Sequence, residues 1–166
     1  MLSGETAAGS YPVEAVQYMA KIAEKTETIL NHEEFLSQFL VHHSQKTNDV
    51  QAVSFSVANM ANLTKPKAIL TTTTSGQTPR LVSRFRPSAP ILCATWNQKT
   101  QLQMSLVWGC EAIFVGLPST TDEIIANAID GFSRLKRLKS GDKVIVTAGV
   151  PAGIAGHTNM ILNQIV

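Results

Sequence analysis

Hydroxyl side chains crowd one short stretch of this chain, Thr71-Thr72-Thr73-Thr74-Ser75-Gly76-Gln77-Thr78-Pro79-Arg80. Thr73, Thr74, Ser75 and Thr78 each offer an O–H, and Gly76 lets the backbone turn so that successive N–H groups point the same way. Thr78 is placed as an N-cap and Pro79 as the first helical residue. A helix amino terminus with unpaired N–H groups, ringed by hydroxyls, suits an anion such as phosphate. A Thr-rich strand end followed by a capped helix with no ligand accounts for the same residues, and composition does not separate the two. The stretch is not a Walker loop, because Gly-x-x-x-x-Gly-Lys is absent, and a single glycine does not make a dinucleotide fingerprint.

A second loop, Gly149-Val-Pro-Ala-Gly153-Ile-Ala-Gly156-His157, follows an aliphatic run. It meets the first loop if both preceding strands lie centrally in one sheet. His157 then either touches the anion or is a solvated loop histidine. The cluster Arg134, Lys136, Arg137 and Lys139 falls in the last turn of a helical pattern, where a solvated face complementing the helix dipole explains it. His42 and His43 are adjacent, with no Cys or acidic partner at a spacing that suits a metal. Cys93 and Cys110 sit in apolar runs and read as buried small hydrophobes of a reducing compartment.

The elements that position these loops alternate. Tyr11 to about Leu30 is helical, with Val13, Val16, Ala20 and Ala23 at three- and four-residue steps, while Met1-Leu2 before it reads as a strand end. Residues 31–47 are polar and read as a linker with one helical turn. A helix follows Asn48-Asp49 and stops before Pro66. Strands are predicted over Ala68–Thr73, Pro90–Thr95, Ala112–Val115, Lys143–Ala148 and Ile161–Val166. Helices are predicted over Pro79–Arg86, Gln98–Val107 and Thr120–Leu138. The last opens on the capping pattern Thr120-x-x-Glu123 and buries Ile125, Ala128, Ile129, Phe132 and Leu135. This alternation predicts a three-layer α/β/α sandwich on a mostly parallel five-stranded sheet. No crossover helix fits between the last two strands, so the fifth is expected antiparallel at an edge.

A length of 166 residues, 44% hydrophobic, suits one domain or one domain with part of a neighbour. With a formal net charge of +2 and few aromatics there is no electrostatic case for nucleic acid. No basic-then-apolar leader and no apolar run of about 20 residues is present, so no membrane association is expected and the location is expected to be cytoplasmic.

Three motifs, in order, resemble pyruvate kinases. Met1-Leu-Ser-Gly-Glu-Thr-Ala-Ala-Gly-Ser-Tyr-Pro-Val-Glu-Ala-Val resembles the end of that family's last barrel strand and the start of its last barrel helix. Ser75-Gly76, then Arg84-Phe85-Arg86-Pro87 and Pro90-Ile91-Leu92, is similar to the family's effector loop and the elements after it. Gly141-Asp142-Lys143-Val-Ile-Val-Thr-Ala-Gly149-Val-Pro, with Thr158-Asn159 beyond, is similar to its closing strands. The likeness covers essentially the whole chain.

The resemblance implies a remnant of the (β/α)8 barrel at residues 1–30, a linker at 31–47 and the family's C-terminal domain at 48–166. Met1 then matches a methionine internal to the family, so the chain is expected to be a piece of a longer protein. That protein would transfer phosphate from phosphoenolpyruvate to ADP, giving pyruvate and ATP in glycolysis, with Mg2+ and K+ as cofactors. The family's phosphate-binding arginine, catalytic lysine and metal carboxylates lie upstream, and only Ser3 and Glu5 remain from the active-site edge. The piece alone is therefore expected to be inactive and to hold no metal. Thr73, Thr74, Ser75, Gly76, Gln77 and Thr78 match the loop that holds an allosteric activator's phosphate, and Gly153, Gly156 and His157 lie in the loop that closes over it. The effector is expected to be a sugar phosphate or inorganic phosphate, and the assembly a homo-oligomer, a tetramer in the parent. At one position the likeness departs. Animal and yeast enzymes hold the activator's second phosphate with an arginine and a tryptophan. Counting back without gaps from Gly141-Asp142 places Ile124 at the arginine, which predicts little extra affinity for a bisphosphate. Two other functions fit the same elements, a free-standing phosphometabolite-binding protein and a small α/β enzyme such as a phosphatase.

Overall fold

A computed structural model of the chain describes residues 1–43, 47–117, 120–150 and 157–166, without the side chains of His42 and His43. It divides into two compact units, Met1–Asn31 and His32–Val166.

The first unit holds α1 (Gly4–Ala7) and α2 (Pro12–Glu27). Met1-Leu2, read from sequence as a strand end, forms no strand; the four-residue α1 follows directly. The Glu5 carboxylate folds back to accept the Ser3 N–H at 2.9 Å. Hydrogen bonds from the backbone N–H groups of Glu5 itself and of Ser3 hold that carboxyl below its usual range. In α2, Pro12 occupies the first turn, where a missing N–H costs no intrahelical bond. Val13, Val16 and Ile22 are exposed along it.

The second unit begins with α3 (His32–His43) and α4 (Asp49–Thr64). Where the sequence suggested a single helical turn within 31–47, residues 32–43 form a three-turn helix. Leu36 and Phe39, three residues apart, are buried against Ala58 and Phe85. Phe39 stacks on Phe55 at 5.4 Å between centroids and meets Phe85 edge-on at 5.0 Å. Phe35, Leu40 and Val41 beside them are exposed, so the buried pair does not stand out as one apolar stripe in sequence. Asn48 caps α4 with a full capping box, its Oδ1 taking the Gln51 N–H while Gln51 Oε1 takes the Asn48 N–H.

The rest alternates: β1 (Ala68–Thr72), α5 (Gln77–Arg84), β2 (Ile91–Thr95), α6 (Gln98–Met104), β3 (Cys110–Phe114), α7 (Thr121–Arg134), β4 (Lys143–Ala148) and β5 (Met160–Ile165). The sheet runs β3-β2-β1-β4-β5. Its first four strands are parallel, and β5 is antiparallel to β4 at the edge. Alternate residues divide the core between the faces. Ile69, Ile91 and Ile145 meet Val57 and Ala61 of α4 and Val82 of α5. Leu70, Leu92, Val144 and Val146 meet Ile124, Ile125, Ala128 and Phe132 of α7. The three-layer α/β/α sandwich expected from the alternation is the architecture found.

α7 ends four residues earlier than the pattern suggested. Lys136 takes a left-handed φ of 59°, and the N–H groups of Arg137 and Leu138 turn back to the Phe132 carbonyl. Ile125, Ala128 and Phe132 are buried as expected and Ile129 packs against them; Ile124 joins them, while Leu135, past the helix end, is exposed. Among the described residues no helix is long and apolar enough to cross a membrane.

If the α3 stripe anchors that helix as described, Phe39→Ala should lower the stability of the second unit by about 3 kcal/mol, the usual cost of emptying a buried phenylalanine site. Urea unfolding followed by far-ultraviolet circular dichroism checks this. A loss below about 0.5 kcal/mol would place α3 outside the core.

Candidate functional site

From β1 the chain steps outward through β2 to β3, then returns to the other side of β1 as β4. At such a reversal the loops leaving two neighbouring parallel strands diverge, opening a crevice at their carboxyl ends where α/β sheets take ligands. The pair concerned is β1 and β4, registered from Ala68↔Val144 to Thr71↔Thr147. Both loops singled out in the sequence leave this pair.

The β1 loop is a tight turn. Thr73 donates its N–H to the Ala94 carbonyl at 3.1 Å, and its buried Oγ1 accepts the Gly76 N–H at 3.0 Å. Gly76 then enters the helix with φ 78°, in the left-handed region. A Cβ there would lie 2.5 Å from Met104 Cε and 2.8 Å from Arg80 Nη1, both ends of flexible side chains that could move aside, so it is the conformation that favours glycine. Gly76, not Thr78, is consequently the N-cap, and α5 starts at Gln77. Pro79 falls at the third helical position, still inside the turn whose N–H groups have no intrahelical acceptor. The N–H groups of Gln77 and Thr78 belong to the same turn. The Thr74 carbonyl is held by the Thr100 hydroxyl of α6 at 2.8 Å. Ser75 and Gln77 are exposed and Thr74 is half-buried.

The β4 loop is closed at its base. Asn159 Oδ1 accepts the Val150 N–H and its Nδ2 donates to the Val150 carbonyl, both at 2.8 Å, while the Asn159 N–H reaches Ala148 O at 3.2 Å. A Cβ on Gly149 would overlap the His157 carbonyl oxygen, so this close approach also depends on glycine. The two loops meet through hydroxyls: Thr78 Oγ1 and Thr158 Oγ1 are 2.5 Å apart and buried.

The expected residues therefore divide by role. Thr73 and Thr78 spend hydroxyl capacity on protein partners, Gly76 shapes the turn, and Thr74, Ser75 and Gln77 face outward. His157 is exposed. Gly153 and Gly156 lie outside the described residues. Ser3 and Glu5 belong to the first unit.

Ile124 is 1% exposed in the core between α7 and the sheet, on the face opposite α5, and its aliphatic side chain offers no donor.

Sequence reasoning assigned no role to Thr100, Gln103, Thr158 or Asn159, whose contacts span 80 residues in one case and 26 in another. Nor did it assign one to Arg80, whose Nη1 donates to the Ser75 carbonyl at 3.0 Å and Nη2 to Gln103 Oε1 at 3.2 Å. The only available signal was that Arg80 is the sole charged residue between Ala68 and Ser83.

The basic cluster lies at the other end of the sheet. Lys67, Lys136, Arg137, Lys139 and Asp142 line a recess of about 420 Å³ there. Arg134 pairs with Asp130 at 2.7 Å and Arg137 with Glu111 at 2.8 Å, as befits a solvated helix end. Cys93 and Cys110 are free thiols. Their mutual hydrogen bond, with burial, pushes the Cys110 thiol up, which keeps it protonated and unreactive. Among the described residues no three His, Cys, Asp or Glu side chains cluster as metal ligands would.

Residues 51–162 match the family model described as "Pyruvate kinase, alpha/beta domain". The chain is 44% identical over 161 residues to a pyruvate kinase of Geobacillus stearothermophilus, covering 97% of this chain and 27% of that protein. It is 39% identical over 166 residues to a pyruvate kinase of Clostridium acetobutylicum, covering all of this chain and 35% of that one. A pyruvate kinase of Staphylococcus aureus is 40% identical over 161 residues, covering 97% of this chain and 27% of that protein. The chain thus spans about a quarter to a third of the length of these relatives.

The loop base makes its own prediction. Gly149→Ala must displace the His157 backbone and should cost about 1–3 kcal/mol, whereas Asn159→Ala, at an exposed position, should cost about 1 kcal/mol. Denaturant midpoints order the two variants. Equal stability of Gly149→Ala and wild type would contradict the close approach.

Proposed function

The chain belongs to the pyruvate kinase family through its C-terminal alpha/beta domain, and from that premise we propose that it is the effector-binding and oligomerisation domain of a pyruvate kinase. The parent would convert phosphoenolpyruvate and ADP to pyruvate and ATP, using Mg2+ and K+ held by residues upstream. Residues 1–30 would be a remnant of the end of its barrel, with α2 as the last barrel helix, and the chain alone would transfer no phosphate. The observation that carries the reading is the β1 loop. It combines a glycine-made turn, a helix amino terminus and outward hydroxyls at the reversal point of the sheet, and it shares a wall with the β4 loop through Thr78 and Thr158.

A phosphate placed there would accept from the N–H groups of the first turn of α5 and from Thr74 and Ser75. Charge-assisted bonds of this kind are worth about 1.5–3 kcal/mol each. Because Thr158 directly precedes Asn159 and β5, a ligand that tightens α5 against Thr78 would also act on the edge strand. That is the physical route by which this site would influence assembly.

The domain's partner surface in this reading is β5. Leu162 and Ile165 are exposed, and the strand contains neither proline nor charge to block pairing. Sedimentation of the chain should show dimers or larger species, with Leu162→Lys shifting them toward monomer. A wild-type monomer at high concentration would overturn the oligomerisation half of the proposal.

Calorimetry with ribose 5-phosphate, glucose 6-phosphate and inorganic phosphate tests the effector half. Ser75→Ala removes an exposed hydroxyl that bonds no described protein group, so stability should be unchanged while affinity falls about ten-fold. Absence of binding by all three ligands would refute the effector site.

A further inference from the structure

The segment Thr73–Thr78 bears no formal charge, yet a phosphate ester carries about −1.5 to −2 at neutral pH. A helix terminus contributes the equivalent of only about half a positive charge. We propose that Arg80 supplies the missing cation and is a specificity-determining residue for phosphate at this loop; the inference rests on the effector-site reading above.

Four observations support it. Arg80 is the fourth residue of α5, and helical side chains lean toward the amino terminus of their helix, so its guanidinium returns to the loop. Nη1 donates to the Ser75 carbonyl at 3.0 Å and lies 2.8 Å from where a Cβ on Gly76 would stand. Gln103 Oε1 holds Nη2 at 3.2 Å, which orients the fork from a neighbouring helix. Every acidic residue of the chain is described, and none lies within ion-pair distance of Arg80.

An exposed arginine left to itself samples many rotamers, and fixing it costs conformational entropy. Here two hydrogen bonds consume two of the five guanidinium N–H groups and leave three for a ligand. The site is therefore pre-organised for a dianionic phosphate monoester or inorganic phosphate rather than for a neutral sugar. Gln103 acts through Arg80 and is a positioning residue. Because a phosphate ester's second ionisation has a pKa near 6, affinity for an ester should rise from about pH 5.5 to 7.5, and for inorganic phosphate, which ionises somewhat higher, over a correspondingly higher range, in each case more steeply with Arg80 than without it.

The test is isothermal calorimetry of inorganic phosphate with the 166-residue chain and its Arg80→Gln, Arg80→Lys and Gln103→Leu variants, at two pH values and two salt concentrations. Arg80→Gln should weaken binding about ten- to thirty-fold and flatten both the pH and the salt dependence. Arg80→Lys should recover part of the affinity. Gln103→Leu, which keeps the charge but frees the fork, should lose about two- to five-fold with the pH dependence retained. Denaturant midpoints establish that each variant is folded, and Gln103→Leu tests the inference should Arg80→Gln not fold. If wild type binds phosphate and Arg80→Gln binds within two-fold of it, the inference is overturned while the effector loop stands. If wild type binds no phosphate, both fall.

Discussion

The parallel pairing of β1 with β4 is the constraint on which the rest of the site depends. These strands are neighbours in space but are separated in sequence by three helices and two further strands. Their pairing brings the Thr73–Gly76 turn and the Val150–Asn159 loop base to the same end of the sheet. It also allows Thr78 and Thr158, 80 residues apart, to share a buried hydroxyl contact. Slipping β4 by one residue against β1 would turn its side chains over, moving Ile145 to the side of α7 and Val144 and Val146 to the side of α4 and α5. The burial of both faces therefore holds the site in place, and the polar contacts refine it.

Within that frame the loop is rigid where shape matters and open where a ligand would enter. Gly76 is confined by Met104 and Arg80, Thr73 closes the turn beneath it, and Thr100 holds the Thr74 carbonyl. Ser75 and Gln77 remain exposed. A ligand taken here would meet prearranged donors rather than order a flexible segment, which would lower the entropic cost of association. The base of the β4 loop is fixed in the same manner by the amide of Asn159, whose two bonds to Val150 close the loop with a single side chain.

The sequence disclosed most of the architecture because local patterns and connection lengths encode it. Runs such as Ala68–Leu70 and Val144–Val146 are too short and too apolar for exposed helices, and the gap between Ala148 and Met160 leaves no room for a crossover. The loop was legible for the same reason, since Thr, Ser, Gly and Pro have strong local meanings. What sequence missed depends on distant contacts or on phase. α3 was obscured because Leu36 and Phe39 turn inward while Phe35, Leu40 and Val41 stay exposed, and the partners Phe55 and Phe85 are far along the chain. The start of α5 was displaced because Gly76 can cap by conformation alone, without the side-chain signal that Thr78 offered. Leu135 was expected inside only because the pattern ran past Arg134, where α7 ends. Arg80 meets Gln103 and Thr78 meets Thr158 across 23 and 80 residues, separations that no local pattern records.

The central claim is that the first turn of α5 is where this domain takes phosphate. Following the backbone amide resonances of the isotopically labelled chain while inorganic phosphate is added tests it most directly. The account predicts saturable shifts concentrated at Ser75, Gly76, Gln77 and Thr78, with smaller ones at Thr158 and Asn159. Shifts centred instead on Lys136, Arg137 and Lys139 at the opposite end of the sheet, or no saturable shift near α5, would contradict it.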